Sequence, residues 1–242
     1  MNGFSFLPPV VKNLLLLNVF AFIMTFLIQA FYHYDISDTL GLHYFLSQNF
    51  RPIQLVSYMF LHGDFWHILF NMFAYMFGSA LENFWGPKRF FIYYMATGIG
   101  AGIFQILVSY IRLQMIGANI PSDILEKIYT EGFQIIQNNQ NYSDPTLAQI
   151  NAIVNSTTIG ASGAVFGLLM AFGMMFPNTM LYVYFAIPIK AKWFVLIYGL
   201  IELYSGIRNS ANDNVAHFAH LGGMIFGFIL IYYWRRKGTY SR

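Results

Sequence analysis

Residues 160–175 read GASGAVFGLLMAFGMM, a run without a single charged side chain. The apolar stretch that contains this run extends over 158–176, close to the roughly 20 residues that a helix needs to cross a bilayer. Five further stretches of the chain share this character: 10–33, 66–85, 90–113, 181–206 and 214–234. The sequence therefore predicts six membrane-spanning helices.

The overall composition agrees with a membrane protein. Of the 242 residues, 57% are hydrophobic and 10% are charged, whereas soluble domains carry about 25% charged residues. A water-soluble fold could not bury so much apolar surface, which excludes a soluble enzyme, a disordered chain and a nucleic-acid-binding protein. The chain has no cysteine, which excludes disulfides, Cys-ligated zinc and a thiol nucleophile. We expect one all-α, polytopic membrane domain over residues 1–242.

The basic residues predict the orientation of the spans. If the N-terminus is cytoplasmic, nine of the 13 Lys and Arg residues lie inside and four lie outside, as the positive-inside rule requires. The inner set is Lys12, Lys88, Arg89, Lys190, Lys192, Arg235, Arg236, Lys237 and Arg242. Both termini are then inside, and residues 34–65 and 114–157 form long outer loops. No secretory signal or mitochondrial presequence is predicted, which favours a bacterial inner membrane.

The second outer loop contains signals for two short helices. Asp144-Pro145 is typical of an N-cap followed by proline in the first helical turn. Pro121-Ser122 similarly predicts the start of a helix that extends to Ile136. We expect both helices to lie on the membrane surface.

Polar residues occur at one depth on three spans. The second span carries His67 and Asn71, four residues apart and therefore on one helix face. The fourth span opens at Ser162, and the sixth carries His217 and His220 near its start. All three spans run from outside to inside, so these side chains lie at similar depths. A hydroxyl, imidazoles and an amide that converge in this way are what nucleophilic catalysis needs.

Small residues predict that the fourth and sixth spans pack closely. They recur at helical spacing as Gly160, Gly163 and Gly167 on the fourth span, and as Ala219, Gly223 and Gly227 on the sixth. Such stripes let two membrane helices approach, which would place the Ser162 hydroxyl against the His220 imidazole. The alternative is that Ser162 is only a small packing residue that bonds to its own backbone.

The expected chemistry follows from these side chains. His220 would remove the hydroxyl proton of Ser162, and Asn71, His67 and the Ser162 backbone N–H would stabilise the oxyanion. The acids nearest to this depth are predicted closer to the outer edge: Asp64, Glu202 and Asp213. A Ser–His dyad is therefore predicted rather than a triad, with Glu202 lining a gate or reaching the surface. Hydrolysis also requires a polar cavity open to the outer side.

Three other side chains have competing interpretations. Phe166, one turn after Ser162, either holds the imidazole by ring packing or is an ordinary core aromatic. His217, one turn above His220, is either a rival base or a wetted interfacial residue. Glu82, at the inner end of the second span, is expected to bond across helices in a structural role.

Together these motifs resemble the rhomboid family of intramembrane serine proteases. The resemblance covers all six predicted spans and rests on four motifs in family order. They are HILFN at 67–71, GSALE at 78–82 followed by Gly86, GASG at 160–163 and AHLGG at 219–223. The chain departs from the family's pattern at Phe50-Arg51, where Trp-Arg is frequent, and at Phe166, where Tyr is frequent.

The resemblance implies a six-helix rhomboid-like bundle that hydrolyses peptide bonds in or near transmembrane segments of single-pass or polytopic substrates. It implies Ser162 as nucleophile, His220 as base, and His67, Asn71 and the Ser162 backbone as oxyanion donors. The supporting residues around this pair are Phe166, Gly160, Gly163 and Gly223. The first loop would lie partly in the outer leaflet, and the fifth span would act as a gate. The expected surroundings are the lipid bilayer, with no metal, cofactor, nucleotide or nucleic acid.

Two other function classes are open at this point. A catalytically inactive rhomboid relative would bind membrane clients without cleavage, although such relatives typically lack the Ser or the His that this chain has. A small transporter or proton channel would use the histidines as a relay. It would place polar residues along both halves of the membrane, whereas here they cluster in the outer third and no inverted repeat is evident.

Overall fold

The computed structural model describes residues 7–183, 186–208 and 215–238. Among the sequence predictions, the start of the sixth span at 214, Asp213 and Arg242 lie outside these residues. The elements are α1 (Pro9–Tyr32), α2 (Ser37–Leu40), α3 (Gln54–Ser57), a 3-10 turn (Tyr58–Phe60), α4 (Phe65–Trp85), α5 (Pro87–Gly117), α6 (Ser122–Gln137), α7 (Pro145–Asn155), α8 (Ser162–Met175), β1 (Met180–Val183), β2 (Ile187–Lys190), α9 (Ala191–Arg208) and α10 (His217–Arg236).

The predicted helical membrane fold is confirmed. By length and apolar composition alone, α1, α5 and α10 are able to cross a membrane, and α8 is a shorter apolar helix. The remaining two long helices, α4 and α9, occupy the second and fifth predicted spans. Helix α9 carries three charged residues within its 18 residues, Lys192, Glu202 and Arg208.

The predicted fifth span, 181–206, is wrong in its first third. Strands β1 and β2 form an antiparallel hairpin in which Met180 pairs with Lys190 and Tyr182 pairs with Pro188. Pro188 has no backbone N–H and disfavours a helix interior, so the helix begins only at Ala191. Apolar content by itself does not distinguish a strand from a short buried helix.

Helix α8 is the centre of the bundle, since ten of its 14 residues are buried and α4, α5, α9 and α10 all pack against it. It begins at Ser162 rather than at the predicted 158, because Gly160 has a φ of 126° that is incompatible with a helix. Fourteen residues extend about 21 Å, whereas the hydrocarbon core of a bilayer is about 30 Å thick. The two ends of α8 therefore cannot both reach the membrane surface.

The first outer loop holds the chain that leads into α8. Leu42 and Thr158 exchange two backbone hydrogen bonds of 2.9 Å, and the Gly160 N–H donates to the Tyr58 carbonyl at 2.9 Å. The loop itself is organised by Gln54, which is fully buried. The Gln54 amide donates to the carbonyls of Thr39 and Asn49. These bonds fix the position at which α8 begins.

The two predicted helices of the second outer loop are present as α6 and α7. Asp144 caps α7 as expected, accepting hydrogen bonds from the backbone N–H groups of Thr146 and Leu147. Helix α6 ends at Gln137, one residue beyond the predicted end. Ile128 of α6 packs with Ile150 and Val154 of α7, so that the two helices share an apolar cluster.

The structural role expected of Glu82 is confirmed. This carboxylate, 2% exposed, lies near the end of α4 and accepts hydrogen bonds from the backbone N–H groups of Val10 (2.9 Å) and Val11 (2.8 Å). The first N–H groups of a helix have no acceptor within the helix, and Glu82 supplies one for α1.

Candidate active site

The predicted serine and histidine are in contact. Ser162 is the first residue of α8, and its Oγ lies 2.8 Å from Nε2 of His220 on α10. The His220 side chain is buried, while Ser162 is half-buried. The arrangement brings together a hydroxyl and an imidazole nitrogen that is able to take its proton.

Close packing of α8 and α10 produces this contact. A Cβ atom added at Gly223 would stand 1.8 Å from the Gly163 carbonyl oxygen, and one added at Gly227 would stand 3.2 Å from the Gly167 carbonyl oxygen. Because only hydrogen atoms fit there, the backbones of the two helices touch. The predicted stripes of small residues therefore meet at Gly163 and Gly167.

Gly160 has a different role from the predicted one. It does not face α10, since a Cβ at this position would lie 2.6 Å from His67 Nε2 and 3.6 Å from Ser162 Oγ. Its φ of 126° also excludes other residues. Gly160 thus leaves room for the His67 ring beside the serine.

The prediction that no acid accompanies His220 is wrong. Glu202 on α9 is 6% exposed, and its Oε2 lies 2.9 Å from Nδ1 of His220 and 2.6 Å from Nδ1 of His217. Helix α9 extends to Arg208 and α10 begins only at His217, so Glu202 and His220 lie six and three residues from their respective outer helix ends. At 1.5 Å per residue this is a small difference in depth. The interpretation of Glu202 as a surface carboxylate is therefore also wrong.

A simple signal in the sequence pointed toward this pairing. A carboxylate within an apolar helix is costly and is usually paired with another polar group. The two histidines at the start of α10 are the partners that α9 can reach.

The hydrogen bonds define which nitrogen of His220 carries its proton. An ionised carboxylate only accepts hydrogen bonds, so Nδ1 of His220 must donate to Glu202. Nε2 of the neutral ring is then an acceptor, and the Ser162 hydroxyl donates to it. This is the tautomer that a general base requires.

Phe166 stacks on the His220 imidazole, which confirms the ring-packing interpretation. Its ring is 4.2 Å from that of His220 between centroids, at an interplanar angle of 8°. Phe166 also belongs to an apolar cluster with Leu169, Val195 and Met224. The two interpretations of this residue are therefore compatible.

The predicted oxyanion donors are His67 and Asn71 on α4 and the backbone N–H of Ser162. His67, on the first turn of α4, directs Nε2 toward the space at Gly160, while its Nδ1 faces the Gly63 N–H at 3.5 Å. The Asn71 side-chain amide donates one N–H to the His67 carbonyl at 3.1 Å. The Ser162 N–H is at the start of a helix, where backbone N–H groups point outward without intrahelical acceptors.

An open cavity of about 1490 Å³ lies between the outer loops and the outer ends of α5, α9 and α10. His217, Gln105, Arg112 and Thr158 are among its polar lining residues. The sequence predicted that such a cavity would be floored by Ser162 and His220, and this is wrong for the described cavity, whose lining includes His217 but neither of these two residues. Glu202 connects His217 to His220, since its Oε2 contacts Nδ1 of both histidines.

The same cluster has metal-ligating side chains. Glu202, His217 and His220 each offer one ligand atom, and these atoms lie within 4.8 Å of one another. Imidazole and carboxylate groups are ligands that Zn²⁺ accepts.

The chain is similar to known proteins of one family. The family model of the Rhomboid domain matches residues 49–120 and 131–237. Rhomboid protein 1, mitochondrial, of Saccharomyces cerevisiae is 27% identical over 185 residues, which are 75% of this chain and 41% of that protein. An uncharacterized mitochondrial rhomboid protein of Schizosaccharomyces pombe is 28% identical over 212 residues, covering 77% of this chain and 52% of the relative.

A plant protein shows similar resemblance. RHOMBOID-like protein 12, mitochondrial, of Arabidopsis thaliana is 26% identical over 172 residues, which are 70% of this chain and 42% of the relative. The chain thus spans about half or less of the length of these relatives. The family match nevertheless covers most of the chain and includes the serine, both histidines and Glu202. The chain belongs to the rhomboid family and is an integral membrane protein.

Proposed function

We propose that this protein is an intramembrane serine endopeptidase that cleaves peptide bonds in or near transmembrane segments of other membrane proteins. The observation that carries the proposal is the 2.8 Å contact between Ser162 Oγ and His220 Nε2. Family membership supports the same reaction class. The inactive rhomboid relative is the alternative, and the presence of both side chains in hydrogen-bonding distance argues against it.

The first step is acylation. Ser162 Oγ attacks the carbonyl carbon of the scissile bond while its proton passes to Nε2 of His220. Negative charge develops on the carbonyl oxygen, and His67 Nε2–H, the Asn71 amide and the Ser162 N–H are the donors available to it. The imidazolium then gives its proton to the leaving amine nitrogen, the C–N bond breaks, and an ester to Ser162 remains.

The second step is hydrolysis of that ester. Water attacks the acyl carbon and gives a proton to His220 Nε2, which returns it to Ser162 Oγ as the ester bond breaks. The open cavity beside His217 is the route by which we expect water to reach the ester. A substrate helix must unwind locally, because its own hydrogen bonds shield the carbonyl from attack.

The orientation and compartment are proposed from the sequence. Nine of 13 basic residues favour cytoplasmic termini, with the active site toward the outer side. The bacterial inner membrane is our proposal for the compartment, although the mitochondrial names of the three relatives do not favour it. Because the chain has no cysteine, Asn139→Cys and Lys237→Cys give clean single-cysteine reporters. An impermeant maleimide added to intact cells should label the first and spare the second.

The test of the reaction is labelling of the purified protein by a fluorophosphonate probe, which forms a covalent bond to an activated serine. The parent chain and His217→Ala should be labelled, whereas Ser162→Ala and His220→Ala should not. A folded parent chain that fails to react, while a known serine hydrolase reacts in the same detergent, would support the inactive alternative. Labelling lost in His217→Ala but retained in His220→Ala would make His217 the base instead.

A further inference from the structure

We infer that Glu202 is a positioning residue that sets the tautomer and orientation of His220, so that the catalytic unit is Ser162–His220–Glu202. The expected effect of Glu202 on the reaction rate rests on the proposed function. The expected effect of Glu202 on the tautomer and orientation of the His220 ring rests on the geometry alone.

The contact itself has the properties of an orienting hydrogen bond. Glu202 Oε2 lies 2.9 Å from Nδ1, while Ser162 Oγ lies 2.8 Å from Nε2. The two partners thus occupy opposite nitrogens of one ring, and Phe166 covers its face at 4.2 Å. Rotation of the imidazole away from Ser162 would break the carboxylate bond and the stacking contact together.

Burial strengthens the effect of the Glu202 carboxylate on His220. Glu202 and His220 are 6% and 8% exposed, so water competes little for their hydrogen-bonding groups. When His220 takes the serine proton, its positive charge forms beside a carboxylate that already accepts a hydrogen bond from Nδ1. The reacting groups therefore need little reorganisation at that moment.

Glu202 is carried by α9, whereas the base is on α10. The orientation of the base consequently depends on α9 remaining packed against α10. A displacement of α9 that withdraws Glu202 would leave His220 free to adopt the other tautomer, in which Nε2 carries the hydrogen and is unable to accept the serine proton. The packing of α9 against α10 and the activation of Ser162 are thus linked through the side chain of Glu202.

His217 shares the same oxygen. Its Nδ1 donates to Oε2 at 2.6 Å, so it holds the carboxylate in place from the side of the cavity. Any replacement of Glu202 therefore changes the hydrogen bonds of both histidines. Glutamine retains an acceptor oxygen without the charge, aspartate retains the charge on a shorter chain, and leucine retains neither.

The first measurement is the rate of fluorophosphonate labelling, separated into the reactivity of the bound probe and the probe affinity. Glu202→Leu should lower the reactivity on the order of 100-fold, within the range typical of general-base contributions, with affinity nearly unchanged. Glu202→Gln and Glu202→Asp should lie between leucine and the parent. The rates are expressed per folded molecule, determined by size-exclusion chromatography and thermal unfolding.

Glu82→Gln is the matched control. Glu82 is also a buried carboxylate that joins two helices, but its partners are backbone groups of α1. It should lower thermal stability and leave labelling per folded molecule unchanged. If Glu202→Leu behaves as Glu82→Gln does, Glu202 only joins α9 to α10 and the inference is overturned.

The second measurement does not depend on activity. NMR spectra of protein with ¹⁵N-labelled histidine report which ring nitrogen carries the hydrogen. In the parent protein His220 should have a protonated Nδ1 and an unprotonated Nε2, and Glu202→Leu should lose this pattern. Assignment follows from the signals missing in His220→Ala and His217→Ala. If the parent protein does not react with the fluorophosphonate probe but shows the expected ¹⁵N pattern, the proposed function is refuted while the positioning role stands. An unchanged pattern in Glu202→Leu would refute the positioning role alone.

Discussion

The phenyl ring of Phe166 lies parallel to the imidazole of His220, with 4.2 Å between the ring centroids and 8° between the planes. Both residues are on the helices that meet at the glycine contact, so the stack depends on the packing of α8 against α10. It restricts the imidazole to the plane in which Nε2 faces Ser162. The Tyr found at this position in many family members would preserve that restriction.

Phe166 should therefore be replaceable by tyrosine but not by alanine. We expect Phe166→Tyr to keep fluorophosphonate labelling within a few-fold of the parent. Phe166→Ala removes the ring from the base and leaves a cavity in the cluster with Leu169 and Met224. It should lower the free energy of unfolding by about 3 kcal/mol and slow labelling of the folded fraction roughly tenfold. Equal labelling of the alanine variant would show that the stack does not orient the base.

Gly223 should be the least tolerant glycine of the bundle. In Gly223→Ala the new Cβ would stand 1.8 Å from the Gly163 carbonyl oxygen, so α8 and α10 must separate. We expect a loss of about 2 kcal/mol of unfolding free energy and at least a tenfold slower labelling rate, because His220 moves with α10.

Gly117→Ala provides the control for that substitution. Gly117 is the last residue of α5, and no heavy atom lies within 4 Å of a Cβ added there. Alanine is the better helix former, so this variant should be as stable as the parent or slightly more stable. Equal unfolding temperatures for the two variants would contradict the close approach at Gly223.

Sequence reasoning succeeded where the determining signal was local. The glycine stripes and the polar starts of three spans were enough to predict that Ser162 and His220 meet. Glu202 was misjudged because its depth depends on where α9 ends and α10 begins, and helix ends are set by tertiary contacts. The hairpin of β1 and β2 was missed for a related reason, since its apolar residues are as compatible with a helix as with a strand.

His62 in the first outer loop should make stability depend on pH. Burial, and then the nearby charge of protonated His67, lower the pKa of His62 from 6.5 to about 4. Between these values the unfolded chain binds more protons than the folded one, so stability is lost as the pH falls from 6.5 toward 4. The full loss is about 3 kcal/mol.

Thermal unfolding in detergent at pH 7.0 and pH 4.5 measures this effect. His62→Phe should reduce the decrease in unfolding temperature between the two pH values. His33→Asn serves as the control, because His33 is exposed and its positive φ of 51° suits asparagine. A pH dependence that is the same in His62→Phe and the parent would assign the loss of stability to other groups.

Zinc should inhibit the protein reversibly. The ligand atoms of Glu202, His217 and His220 lie within 4.8 Å of one another, while two ligands of a tetrahedral Zn²⁺ are roughly 3.4 Å apart. Only small side-chain shifts are needed to bind the ion. Zinc on Nδ1 of His220 leaves the ring hydrogen on Nε2, which is then unable to accept the proton of Ser162.

The measurement is the labelling rate as a function of added Zn²⁺, followed by restoration with a chelator. His217→Ala is the informative variant, because it removes one ligand and retains the side chains of Ser162, His220 and Glu202. It should be labelled without zinc and should require at least tenfold more Zn²⁺ for half inhibition than the parent does. Equal sensitivity of the two proteins would place the inhibitory zinc elsewhere, because an ion bound through His217 must lose affinity when that ligand is removed.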